Sequence, residues 1–311
     1  MDFKHTSVLL DESIQGLNIK PTGVYVDCTL GGSGHAKEII SKLKEGFFVG
    51  IDKDLDALEF GKEKLSSFNN KALVHDDYKN ITNILDSNGI EKVDGILVDL
   101  GVSSHQLDVA DRGFSYMQDA KLDMRMNQEQ SLSAYEIVNT FSEEKLAEII
   151  RVYGEEKNWF KVVKNIIKFR ETKPIETTKE LVEVIIKSYP EKFLHKGSHP
   201  AKKVFQAIRI AVNEEIEGLD VFIDDCINRL NTGGRMAVIT FHSIEDRIVK
   251  NKFKQYSEGC ICPKELPKCV CGNKEVVKLV NRKPIIATEY ELQNNKRAKS
   301  AKLRIIEKLE V

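Results

Sequence analysis

The chain has 311 residues, 41% hydrophobic and 31% charged, which is the make-up of an ordinary globular protein with room for one large or two modest domains. No apolar run approaches membrane-spanning length and Met1-Asp2-Phe3-Lys4-His5 opens no signal peptide, so a cytoplasmic protein with no membrane partner is expected. With 47 basic and 48 acidic residues the net charge is −1, so overall charge neither favours nor excludes a nucleic-acid partner, and local clusters must decide.

In chain order, Val24–Cys28 reads as a strand leading into Asp27-Cys28-Thr29-Leu30-Gly31-Gly32-Ser33-Gly34-His35, and Ala36–Leu43 reads as the helix that follows. Glycines at a strand-to-helix junction let backbone N–H groups approach a ligand. The next strand, Phe47–Asp52, ends on a carboxylate eighteen residues beyond Gly34, where a βαβ unit holds ribose hydroxyls. A dinucleotide fingerprint fails: counted from Gly32, Lys37 stands at the third glycine, and no G-K-[ST] makes a triphosphate loop. S-adenosylmethionine (SAM) fits better. A helix at Asp56–Ser66 and a strand at Ala72–His75 come next; Asp76-Asp77-Tyr78 follows where an adenine would lie, Tyr78 serving as stacking face or as core. After a helix at Ile81–Ser87, the fourth strand, Val93–Asp99, places Asp99 on the same sheet edge as Asp52 and the glycine loop.

The alternation then stops. From Ser104 to His199 no strand is expected: a loop over Asp108–Asn127 precedes helices at Ala134–Asn139, Glu143–Tyr153, Trp159–Arg170 and Thr178–Ser188, with helix starts at Ser142 and at Thr177, which is spaced from Glu180 as a capping box. A long helix, about Pro200 to Leu230, and strands Arg235–Phe241 and Lys302–Lys308 resume the sheet. The expected organisation is a Rossmann-like α/β domain, 1–104 with 200–311, and a mainly helical insertion, 105–199, overhanging the ligand edge and selecting substrate. Lys157, Lys161, Lys164 and Lys168 stack on one face of a helix whose apolar face carries Phe160, Val163 and Ile167; eight basic residues between Lys278 and Arg304 form a second cluster.

Several segments resemble, in order and over nearly the whole chain, motifs of the bacterial 16S rRNA cytosine-N4 methyltransferase family. They are His5–Glu12, Thr29–His35, Asp99–Ser104, Arg112–Ser115, Leu122–Met126, His199–Ala201, Phe205–Asn213, Phe241–Arg247 and Ser300–Arg304. The resemblance implies a SAM-dependent methyltransferase fold acting on a cytidine in the decoding centre of small-subunit rRNA, and it suggests a homodimer. It carries cofactor contacts onto Ser33, Gly34, His35, Asp52, Tyr78, Asp99 and Gln106.

For the chemistry, Asp99 and nearby backbone carbonyls are candidates to accept the amine N–H groups, in competition with a purely cofactor role for Asp99. Phe114, Phe241 and His242, with Tyr116, are candidates to receive an unstacked base, each with a core or anchoring alternative. Gln206, Arg209 and Asn213 form a polar stripe that faces either water or the substrate. Cys28 and Cys226 read as reduced core thiols. Cys260, Cys262, Cys269 and Cys271 form two C-x-C pairs that could hold zinc, although a reduced hairpin is preferred because zinc knuckles usually space their ligands wider. A methyltransferase of another base, DNA or protein, and a non-catalytic ribosome-binding module are the alternatives. Asp99-Leu100-Gly101-Val102 lacks the two prolines common in DNA amino-methyltransferases, and intact Gly34, Asp52 and Asp99 count against a module without catalysis.

Overall fold

Alternating side chains on the sheet strands decide the layering. In the computed structural model, Val26, Val49, Ile96, Val98, Met236, Val238 and Ile306 join one buried cluster, whereas Tyr25, Phe48, Leu97, Ala237, Ile239, Leu303 and Ile305 join another. Neighbours in sequence thus point to opposite faces, and the sheet is apolar on both, as a strand covered by helices on each side must be. The structure describes residues 7–191, 199–260, 262, 271, 272 and 274–310; of the residues singled out above, His5, Thr6 and Cys269 lie outside them.

Among the described residues seven strands form one sheet: β1 (Val24–Asp27), β2 (Phe47–Asp52), β3 (Lys71–His75), β4 (Val93–Asp99), β5 (Leu230–Thr240), β6 (Val277–Leu279) and β7 (Lys302–Lys308), in the order β3-β2-β1-β4-β5-β7-β6. β1 to β5 are parallel, whereas β7 runs antiparallel to β5 and to β6. The strand order reverses between β1 and β4. A crevice opens at such a switch point beyond the carboxyl ends of the strands, and here those ends are Asp27 and Asp99.

One face is covered by helices Ile81–Ser87, Leu219–Arg229 and Ser243–Ser257, which bury Ile84, Phe222, Ile223, Val249 and Phe253. The other is covered by Leu10–Leu17, Gly34–Ser41 and Leu55–Lys64, which bury Leu17, Ile39, Ile40 and Leu58. Cys28 and Cys226 sit in the first cluster, where burial pushes both thiols up in pKa, as expected of core cysteines.

The chain divides into two compact units, Met1–Gly101 with Glu217–Val311, and Val102–Ile216. The second is built of helices Ser104–Asp108, Ala134–Thr140, Glu143–Val152, Trp159–Arg170, Thr178–Ile186 and Ala201–Asn213 around Val138, Leu146, Ile150, Val163, Ile166, Leu181, Phe205 and Ile208. Ser142 accepts from the Lys145 N–H at 3.3 Å, and Thr177 with Glu180 closes a capping box.

Three expectations need correction. The long helix from Pro200 to Leu230 is two helices, broken where Glu214 turns left-handed at φ 51°. Its first half buries Val204, Phe205, Ala207 and Ile208 in the helical unit, so the chain returns to the sheet unit at Glu217 and not at residue 200. The apolar face of Trp159–Arg170 is Val162, Val163 and Ile166, while Phe160 is 55% exposed; the register is set by packing on the neighbouring helices, which the charge spacing alone did not reveal.

Candidate active site

The turn after β1 is fixed by backbone bonds to its neighbours. Cys28 N–H donates to Leu97 C=O and Leu30 N–H to Ile51 C=O, which carries the chain over β4 and then over β2. Gly31 has φ 44°, a conformation costly for a side chain. At Gly34 a Cβ would run into Ser7 Oγ. Ser33, also at positive φ, is 1% exposed; its N–H donates to Leu30 C=O, and its hydroxyl is turned inward toward Gly61 of helix Leu55–Lys64. Ser33 therefore shapes the turn from inside. The first N–H groups of helix Gly34–Ser41 have no intrahelical partner and suit an anionic ligand group.

Three carboxylates end three adjacent strands around this turn. Asp52, at the end of β2, accepts from Gly31 N–H at 2.8 Å and Asp54 N–H at 2.9 Å. Burial outweighs those bonds and raises its pKa to about 6. Asp27, at the end of β1, accepts from Thr29 N–H at 3.1 Å through Oδ1, while Oδ2 has no hydrogen-bond partner among the described residues. Burial, then the charges of Asp99 and Asp52, hold its pKa well above the usual range. Asp99, at the end of β4, is positioned by its N–H donating to Thr29 Oγ1 at 2.7 Å. Its Oδ1 is buried and unpartnered among the described residues, and burial followed by the nearby Glu245 charge lifts its pKa to about 8.

The Lys53 charge acts on Asp52, whereas no lysine or arginine among the described residues forms an ion pair with Asp27 or Asp99. His35, 5% exposed, lies beside Asp99, with Nε2 at 3.1 Å from Val8 C=O and Nδ1 at 3.9 Å from Asp99 Oδ2. A bond to a carbonyl requires Nε2 to carry the proton, which leaves Nδ1 as the acceptor in the neutral ring. Asp27 and Asp99, adjacent strand-end acids with no lysine or arginine partner among the described residues, favour a positively charged ligand, because a cation would relieve both their desolvation cost and their mutual repulsion.

Asp27, Thr29 and Glu245 were not singled out as site residues from sequence. Asp27 could have been found by the rule that pointed to Asp52 and Asp99, a carboxylate closing a parallel strand. Glu245 is 1% exposed; Oε2 accepts from the N–H groups of Phe241 at 2.9 Å and His242 at 3.2 Å. His242 caps helix Ser243–Ser257, with Nε2 at 2.9 Å from Glu245 Oε1. Phe241 is half-buried beside Gly101, whose Cβ would meet the ring at 3.4 Å. Tyr78 packs on Phe222 with ring centroids 4.6 Å apart.

The chain is similar over its whole length to known methylases. The sequence model of the MraW methylase family matches residues 2–309. The chain belongs to the MraW methylase family. Proteins named ribosomal RNA small subunit methyltransferase H from Clostridium botulinum (strain Kyoto / Type A2) and Clostridioides difficile (strain 630) are each 54% identical to it, over 99% of this chain and 100% of the relative. As a methylase of this family it carries a Rossmann-like sheet with the acid-ended crevice just described.

The remaining sequence candidates lie in the helical unit, and several have structural duties there. Gln106 is buried and closes a capping box with Ser103, its Oε1 accepting from Ser103 N–H at 3.0 Å. Phe114 is 5% exposed within the helical core, which favours the core alternative over a base-receiving ring. Tyr116 is partly buried and stacks on His199, centroids 5.0 Å apart.

Asn213 is 3% exposed; its amide donates to Met124 C=O at 2.8 Å and Arg209 C=O at 2.9 Å, and its Oδ1 accepts from Met126 N–H at 2.8 Å. Arg209 grips Glu215 with two bonds of 2.9 and 2.8 Å, and Gln206 donates to Tyr153 C=O at 3.2 Å. The polar stripe thus holds the helical unit together, because a buried polar group must find its partners.

Proposed function

We propose that the protein transfers the methyl group of SAM to the N4 amine of a cytidine in the decoding centre of 16S rRNA, within the small ribosomal subunit. The observation that carries this reading is the set of three carboxylates that end adjacent strands at the switch point of a methylase sheet, Asp27 and Asp99 with no lysine or arginine partner among the described residues, at the mouth of a glycine turn too short of glycines for a dinucleotide. When bound, SAM supplies an electrophilic methyl on a positively charged sulfonium.

The chain's own residues do the rest. Asp52 takes the ribose hydroxyls: each carboxylate oxygen already receives one backbone N–H and retains a lone pair for a hydroxyl donor. The turn at Gly31–Gly34 and the N-terminus of helix Gly34–Ser41 receive the amino-acid end, with His35 beside Asp99. Tyr78 offers an edge or face to the adenine. Asp99 Oδ1 accepts an N–H of the amine and holds it in line with the methyl. A cytosine amine is a weak nucleophile because its lone pair is delocalised into the ring. A carboxylate with its pKa lifted to about 8 is a stronger proton acceptor than an ordinary aspartate. Phe241 and His242, which follow β5, are the base-receiving candidates that remain.

For the RNA itself, the helical unit offers a groove of about 400 Å³ lined by Phe160, Lys161, Lys164, Lys187, Ser188 and Tyr189. Exposed lysines around an exposed ring suit a phosphate backbone with an accessible base. On this reading the enzyme works in the cytoplasm on small-subunit rRNA, as the homodimer its family suggests. No helix among the described residues is long and apolar enough to cross a membrane.

The test is transfer of labelled methyl from SAM to three acceptors: small subunits lacking the modification, free rRNA and duplex DNA. Label in the small subunit's rRNA is expected. Label in DNA with none in subunits would overturn the proposal.

A further inference from the structure

The sulfur atoms of Cys260, Cys262 and Cys271 all lie within 4.8 Å of one another, and none of the three is in a disulfide. Cys271 Sγ is 3.9 Å from Cys260 Sγ. A disulfide needs about 2.05 Å. Four thiolates around zinc at about 2.3 Å stand about 3.8 Å apart along the edges of their tetrahedron, so the observed triangle is within about 1 Å of that figure throughout.

The segment also needs a fastening. It leaves helix Ser243–Ser257 and returns just before β6, with its neck closed by Val276 N–H donating to Tyr256 C=O at 2.9 Å. Between Ser257 and Val276 the sequence offers only Ile261, Leu266 and Val270 as aliphatic side chains, too few for a core of its own. Small excursions of this composition are held by disulfides or by a metal, and thiolate-rich tetrahedra select zinc among the common divalent ions.

We infer that Cys260, Cys262 and Cys271 bind one structural zinc ion, which fastens the excursion between helix Ser243–Ser257 and β6. The C-x-C spacing, tighter than a usual knuckle, is compatible with this because Cys271 comes from the returning strand of chain and closes the triangle from the other side. The zinc takes no part in methyl transfer. It stabilises the excursion by replacing an absent apolar core with thiolate bonds, and binding it releases the thiol protons.

The experiment is elemental analysis of the full chain, produced in zinc-containing medium and purified without chelator, together with cobalt substitution. About one zinc per chain is expected, and cobalt should give the intense visible bands of a tetrahedral thiolate site. Cys260→Ser/Cys271→Ser should lose the metal, and Cys226→Ala, which removes a core thiol elsewhere, should keep it. In the wild-type protein a zinc chelator should expose these cysteines to alkylation and speed tryptic cleavage at Lys264 and Lys268 at least about tenfold, as local unfolding does. The last readout needs no variant to fold. Background zinc without the cobalt bands, zinc retained by the double variant, or a metal-free protein that oxidises to a Cys260–Cys271 disulfide would each overturn the inference.

Discussion

Replacing Asp99 with asparagine should make the ligand-free protein more stable and a worse enzyme. In the folded protein the Asp99 carboxyl has a pKa of about 8, against an ordinary 3.8, chiefly through burial and then through Glu245. A folded pKa above the unfolded one means that the stability contributed by the neutral acid is complete below about pH 4 and is lost as pH rises through about 8. At about 1.4 kcal/mol per unit, the shift corresponds to an upper limit of roughly 4 kcal/mol at pH 7. The side chain is 25% exposed, and its repulsion is shared with Glu245, which brings the figure to about 1–3 kcal/mol.

An asparagine at this position would be neutral at every pH. Thermal unfolding of wild type and Asp99→Asn from pH 4 to 9 should therefore give curves that nearly coincide at pH 4. They should separate steadily up to about pH 8, with the variant higher by roughly 2–4 °C for each kcal/mol. The same substitution removes the negative charge and puts an NH2 donor in place of one carboxylate oxygen, so proton acceptance is lost and SAM affinity or methyl transfer should fall at least about tenfold, or 1.4 kcal/mol. A variant no more stable than wild type at pH 8 would refute the burial argument. Full SAM affinity with full turnover would refute both roles given to Asp99.

Asp52→Ala removes the acceptor of two backbone N–H groups and of the ribose, so SAM should bind roughly 10- to 100-fold more weakly by calorimetry, on the scale of a charged hydrogen bond; unchanged affinity would move the ribose elsewhere. Asn213→Ala breaks three buried hydrogen bonds and should cost about 2–4 kcal/mol in thermal or urea unfolding, whereas normal stability with lost methyl transfer would return Asn213 to the substrate. Lys161→Glu/Lys164→Glu/Lys187→Glu should weaken rRNA binding and flatten its salt dependence by about two to three units of slope at unchanged SAM affinity. Unaltered rRNA binding would show that the groove does not carry the RNA.

The parts of this architecture that were legible in sequence are those set locally. β2 and β4 fall on their expected bounds, because an apolar run closed by an aspartate marks both the strand and its ligand edge. Thr177 with Glu180 announces a helix start through a bond three residues away. What was missed depends on distance or on unusual residues. The start of helix Ser243–Ser257 is capped by His242, which is outside the usual Ser, Thr, Asp and Asn set, and the long helix breaks at Glu214, a residue that seldom turns left-handed. β6 is three residues at a sheet edge. The duty of Asn213 lies 89 residues away at Met124, a bond that no local pattern encodes. In the site, the uncompensated charge of Asp27 and Asp99 emerged only when β1 and β4 were seen side by side.

If this acid-ended crevice methylates a cytidine on its exocyclic nitrogen, the product is a single modified nucleoside. The most direct test is to digest rRNA labelled by the purified protein to nucleosides and identify the methylated product by mass spectrometry against standards. N4-methylcytidine is the expected labelled nucleoside, its yield cut at least about tenfold by Asp99→Asn. Label on the ribose 2′-oxygen, on cytosine C5 or on another base would contradict that chemistry.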